Sequence, residues 1–140
     1  MNRIILASHG SMSAGIHDTV EMVLGKIPNL YHVATLREET ENVTSQTERI
    51  LSSFDPDDQV YILTDVFGGS VNNDMMAISA RYPQVTLICG MNLCLVLSLA
   101  SEDDPLSEEE VQEIMENSQK QIMNCSKMMR EAVDEEEDDL

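Results

Sequence analysis

Four short apolar runs alternate with stretches of helical period across the first 100 residues, and that alternation admits very few folds. The runs are "RIILA" (Arg3 to Ala7), "YHVAT" (Tyr31 to Thr35), "VYILT" (Val60 to Thr64) and "VTLIC" (Val85 to Cys89). Rich in Val, Ile and Leu and bounded by Gly, Pro, Asp or Asn, they read as strands buried on both faces. Between them Ile16, Val20, Val23 and Leu24 recur at helical spacing, with Gly25 placed to stop that helix. Val43, Thr47, Ile50, Leu51 and Phe54 mark a second helix, and "SVNNDMMAISARYP" opens after Gly69 and closes before Pro83 as a third. "NLCLVLSLA" is apolar all round and reads as a short buried helix. Ser107 and Glu110 form a capping box that predicts one long helix through Val111, Ile114, Met115, Ile122 and Met129. The whole predicts an α/β fold: a doubly wound, four-stranded parallel sheet in order 2-1-3-4, with helices on both faces.

A chain of 140 residues suits one domain, expected over residues 1–131 and followed by a frayed acidic tail over residues 132–140. The net charge of −18, from 26 Asp plus Glu against 8 Lys plus Arg, excludes nucleic acid and anionic membrane as partner surfaces. No apolar run approaches the roughly 20 residues of a membrane span, and the start lacks a secretory signal pattern, so a cytoplasmic protein is expected. Cys89, Cys94 and Cys125, an odd number without metal-type spacing to histidines, are expected to be reduced structural thiols.

Ligand chemistry in such sheets collects beyond the carboxyl ends of the strands, where neighbouring connections leave in opposite directions. In order 2-1-3-4 the first and third strands are neighbours, so "SHG" and "TDVFGGS" meet there and bring His9 beside Asp65. A carboxylate accepting from one imidazole nitrogen leaves the other as the nucleophile. The two glycines Gly68 and Gly69 let backbone approach a ligand, and Ser70 opens a helix whose free N–H groups favour an anion. Together these describe phosphoryl transfer through phosphohistidine, with no metal and no cofactor. Alone, a histidine at a strand end is usually a structural hydrogen-bonding residue, and Gly-Gly-Ser is an ordinary helix entry. Their convergence on one edge is what favours chemistry. His17 and His32 are expected to be structural, and the methionines mostly core filler. Met12 and Met91, with Phe67, are expected to form a partly apolar rim for a partner protein.

"ASHGSMSAGIHDTVEMVLGK", "ILTDVFGGSVNND" and "CGMNLCLVL" resemble the IIA component of the mannose/fructose/sorbose family of bacterial phosphoenolpyruvate-dependent sugar phosphotransferase systems, from Arg3 to about Ala100. The resemblance implies that His9 is phosphorylated, that Asp65 orients it, and that Gly68, Gly69 and Ser70 contact the phosphoryl group. It implies the phosphocarrier HPr as donor, a IIB component as acceptor, and the membrane IIC and IID components as indirect partners. The family usually has proline where this chain has Val71 and Cys94. Its members are commonly homodimers, some exchanging a C-terminal strand; no strand is evident after Met129, so a dimer without that exchange is expected. Three alternatives remain open on residues alone. A receiver-type domain would phosphorylate Asp65 but needs further acids and a late lysine that this chain lacks. The phosphotransfer subunit of a dihydroxyacetone kinase would share the histidine chemistry, and a sensing domain of the same fold would transfer nothing.

Overall fold

The computed structural model describes residues 1–38 and 41–138. Its elements run β1 (Asn2–His9), α1 (Met12–Leu24), β2 (Leu30–Thr35), α2 (Val43–Leu51), β3 (Gln59–Thr64), α3 (Ser70–Arg81), β4 (Val85–Cys89), α4 (Leu93–Ala100), α5 (Glu108–Gln119) and α6 (Cys125–Asp138). All strand pairs are parallel and the order is β2-β1-β3-β4, as the alternation predicts.

Strand side chains alternate between two buried layers, because both faces of the sheet are covered. Ile4, Leu6, Tyr61, Leu63 and Ile88 pack with Val20 of α1, with Leu95, Val96 and Leu99 of α4 and with Val111 of α5. Ile5, Ala7, Val60, Ile62 and Val85 pack with Val43 and Leu51 of α2 and with Val71, Met75 and Ile78 of α3. From the central pair, α1 therefore leaves β1 over one face towards β2, while α3 leaves β3 over the other towards β4. The point of divergence lies between the ends of β1 and β3.

Three expectations need correction. The stripe on α1 holds at Val20, which is buried, and at Ile16, which packs against the core, but does not extend to Val23 and Leu24, which are exposed; Ser13 is buried as well. The capping box on Ser107 is present, but the long helix is two helices. Asn92 explains the first stop: its side chain accepts from the Leu95 N–H at the start of α4 and donates to the Ser118 carbonyl near the end of α5. Asn124 explains the restart, accepting the Lys127 N–H at 3.0 Å as an N-cap. Ile122 and Met129 lie outside any buried stripe. Residues 132–138 of the acidic tail belong to α6, which has no buried side chain; Asp139 and Leu140 lie outside the described residues. The cysteines are unpaired, as expected, but Cys89 and Cys125 are exposed rather than buried.

Candidate functional site

The histidine stands where the sheet's own hydrogen bonding runs out. Pairing of β1 with β3 ends at Ala7 and Thr64, whereas pairing with β2 continues to His9 and Thr35. His9 thus has a backbone N–H on the β3 side with no strand to receive it. The Asp65 carboxylate accepts it instead: Oδ2 lies 2.8 Å from the His9 backbone nitrogen and 2.7 Å from His9 Nδ1. Its second oxygen accepts the Val66 N–H at 3.0 Å. Partial burial alone would raise the Asp65 carboxyl, but the hydrogen bonds from His9 and the charge of its ring outweigh that and hold it below its ordinary 3.8. Asp65 is therefore ionised at neutral pH, with both oxygens committed.

This geometry settles the imidazole tautomer. Nδ1 carries the hydrogen given to Asp65, so Nε2 carries the lone pair. Ser70 Oγ lies 3.2 Å from Nε2 and donates to it. Asp65 is 12% exposed as a side chain while His9 is 47% exposed, so the orienting group is shielded and the ring remains accessible.

The turn after Asp65 explains its glycines. Gly68 has φ +81°, a left-handed conformation that favours glycine. At Gly69 a Cβ would stand 3.0 Å from Val66 Cγ1 and 3.2 Å from His9 Cε1, so any side chain there would press on the imidazole. Gly69 is the N-cap of α3, and no side chain caps the helix there. The amides of the first turn, with the positive end of the helix dipole, begin beside Nε2.

The sequence-predicted residues His9, Asp65 and Ser70 meet within hydrogen-bonding distance, and Gly69 stands where a side chain would crowd the His9 ring. Of the expected rim, Met12 and Phe67 are exposed, and Phe67 at 76% is among the most exposed apolar side chains of the protein. Met91 is a correction. The N–H groups of Gly90 and Met91 both donate to the Thr64 carbonyl, which turns the chain inward and packs Met91 in the core at 4% exposure. Val66 and Leu36, each 52% exposed, extend the apolar surface at the same edge. Leu36 directly follows the last residue of β2 and Val66 lies two residues beyond the end of β3, and that placement was the available signal. Ser8 was also missed: its buried hydroxyl accepts the Ser13 N–H at 2.8 Å and ties the start of α1 to β1.

His17 and His32 are not part of this group. Their Nδ1 atoms face each other at 2.7 Å, and His17 Nε2 lies 3.6 Å from Glu21 Oε1. The contact accommodates one hydrogen, not two. Partial burial, then the facing His17, hold His32 below its ordinary 6.5. The unfolded chain consequently binds more protons there, so stability is lost as pH falls below 6.5 and is unaffected at higher pH. Urea unfolding at pH 7.5 and 5.5 should show His32→Gln losing less stability on acidification than the wild type; equal losses would refute the shared-proton pair.

Comparison with known proteins is decisive for the family. The family model for the PTS system fructose IIA component, EIIA-man, matches residues 3–119. The chain belongs to this family. A sorbose-specific EIIA component from Klebsiella pneumoniae is 29% identical over 112 residues, spanning 79% of this chain and 82% of the relative. Among solved structures, a Klebsiella pneumoniae protein assigned as a sugar phosphotransferase system permease is 33% identical with a TM-score of 0.79, covering 91% of this chain and 93% of that one. A Streptococcus pneumoniae PTS IIA protein associated with a fucose utilization operon is 27% identical with a TM-score of 0.75, covering 91% and 96%. The IIA chain is thus a phosphotransfer component of the mannose/fructose/sorbose family. Among its described residues, no helix is long and apolar enough to cross a membrane.

Proposed function

We propose that this IIA component accepts a phosphoryl group from phospho-HPr on Nε2 of His9 and passes it to a IIB component, driving coupled sugar uptake and phosphorylation. The observation that carries the reading is the opposite use of the two ring nitrogens, Nδ1 held by Asp65 and Nε2 facing Ser70.

The Nε2 lone pair attacks phosphorus, a P–N bond forms, and the bond to the donor breaks with its electron pair returning to the donor. Nδ1 keeps its hydrogen throughout, so the phosphorylated ring is a cation, and the Asp65 carboxylate at 2.7 Å stabilises it. Ser70 loses its acceptor when Nε2 is phosphorylated and turns its hydroxyl to a phosphoryl oxygen. The amides at the start of α3 face the same anion, and Val71 contributes an N–H that a proline would lack. Transfer to the IIB component runs these steps in reverse towards a new acceptor.

Met12, Phe67, Val66 and Leu36 supply an apolar surface beside an exposed nucleophile, which suits a partner whose own active site must come into contact. HPr and the IIB component should therefore compete for one edge, and a titration showing both bound at once would contradict this. The same reading makes the protein a cytoplasmic homodimer whose interface leaves that edge uncovered.

Incubation with phosphoenolpyruvate, enzyme I and HPr should add one phosphoryl group, labile to acid and stable to base, that is discharged by a IIB component. Labelled HPr beside an unlabelled IIA component would overturn the proposal. Ser70→Ala should slow the transfer about fivefold, the equivalent of roughly 1 kcal/mol for one lost hydrogen bond; an unchanged single-turnover rate would remove Ser70 from the mechanism.

A further inference from the structure

The loop that carries Asp65, Gly68, Gly69 and Ser70 is closed by a buried polar contact to which no catalytic step has assigned a role. Thr64 ends β3 and Asn72 lies in the first turn of α3. Thr64 Oγ1 donates to Asn72 Oδ1 at 2.7 Å, and the two residues are 0% and 2% exposed. The Thr64 carbonyl also receives the Gly90 and Met91 N–H groups, at 3.0 Å each. Thr64 is thus anchored on the sheet through its backbone and reaches the helix through its side chain.

Apolar packing already secures α3 to the sheet through Val71, Met75 and Ile78. Such packing is not directional and tolerates small rotations and slides of a helix. A buried hydrogen bond does not, because its length and angle are narrow and an unmade partner is costly away from water. Asn72 is two residues from Ser70, so a change in the Thr64–Asn72 distance moves Ser70 Oγ directly. The Ser70 contact with His9 Nε2, at 3.2 Å, has little length to spare before it is lost.

We infer that the Thr64–Asn72 hydrogen bond is a positioning clamp that holds the first turn of α3, and with it Ser70 Oγ and the leading amides, at working distance from His9 Nε2. Thr64 and Asn72 are positioning residues: neither reaches the reacting atoms, and both act through Ser70 and the helix start. For its effect on rate the clamp rests on His9 being the phosphoryl acceptor; for its effect on the resting site it does not.

The test uses the full chain and two readouts. In single-turnover transfer from phospho-HPr, Thr64→Val should slow the reaction on the order of tenfold, given how steeply rate depends on sub-ångström placement. Thr64→Ser, which keeps the hydroxyl, should restore most of it. Ser70→Ala should cost its full factor in the wild type but almost nothing further in the Thr64→Val background, since the contact it removes is already lost. A purely structural pair would give additive losses. The second readout is the 15N resonance of His9 Nε2 without any donor present. Thr64→Val should move it to the position seen in Ser70→Ala, and Thr64→Ser should leave it near the wild type. Asn72→Ser, which withdraws the acceptor, is the companion variant and carries the same expectations should Thr64→Val not fold. Wild-type transfer rates, additive losses or an unmoved Nε2 resonance in the folded variant would each overturn the clamp. An unlabelled wild type would instead overturn the phosphoryl-acceptor reading, leaving the resonance shift to decide the clamp separately.

Discussion

His9→Gln should take up no phosphoryl group from phospho-HPr, a loss of several orders of magnitude that no other side chain compensates. The glutamine amide has no nucleophilic nitrogen, because its lone pair is delocalised into the carbonyl. The remaining candidates are unsuited by their surroundings. His17 and His32 are turned towards each other at 2.7 Å, with Glu21 on the far side of His17. Asp65 has both oxygens occupied by N–H donors in the native site, and an acyl phosphate formed there would be labile to base, unlike phosphohistidine. The substituted side chain is about half exposed, so thermal unfolding should shift by no more than a few degrees. Base-labile labelling of His9→Gln would transfer the chemistry to Asp65 and revive the receiver-type alternative.

Asp65→Asn should fold yet slow transfer by about 10² or more, roughly 2.7 kcal/mol of transition-state stabilisation. The carboxylate accepts three N–H groups, two from His9 on one oxygen and one from Val66 on the other. An asparagine has one acceptor oxygen. If that oxygen serves His9, the amide NH2 points at the Val66 N–H; if it serves Val66, the NH2 faces both His9 donors. The second arrangement drives the ring hydrogen to Nε2 and removes the nucleophilic lone pair. In either arrangement the cation formed on phosphorylation loses its facing negative charge. A single-turnover rate within threefold of wild type would show that Asp65 positions the loop but contributes little to the transfer.

The sheet and the central pair were legible because they follow from period and topology. Strand segments such as "IILA" and "VYILT" carry their burial in every residue, and parallel order 2-1-3-4 then brings His9 and Asp65 together without knowledge of any side-chain conformation. What was not legible depends on contacts between segments whose relative height is fixed only in three dimensions. Met91 follows a strand at the active edge, but two backbone bonds to Thr64 turn it into the core. The division of α5 from α6 depends on Asn92, 26 residues away, taking the Ser118 carbonyl. The polar residues Thr64 and Asn72 are unremarkable as letters and become a pair only when α3 is set on β3. His17 and His32 likewise required the register of a helix over an edge strand. Asn124 is the exception: an asparagine three residues before Lys127 is a local N-cap signal that hydropathy had masked.

The most direct test is the position of the phosphoryl group on the ring, read by 1H–15N and 31P nuclear magnetic resonance on protein labelled through enzyme I and HPr. The contact of Nδ1 with Asp65 and the exposure of Nε2 beside Ser70 predict one phosphoryl group on His9 Nε2, with Nδ1 still protonated. Phosphorus bonded to Nδ1 of His9, or to any other residue, would contradict the account.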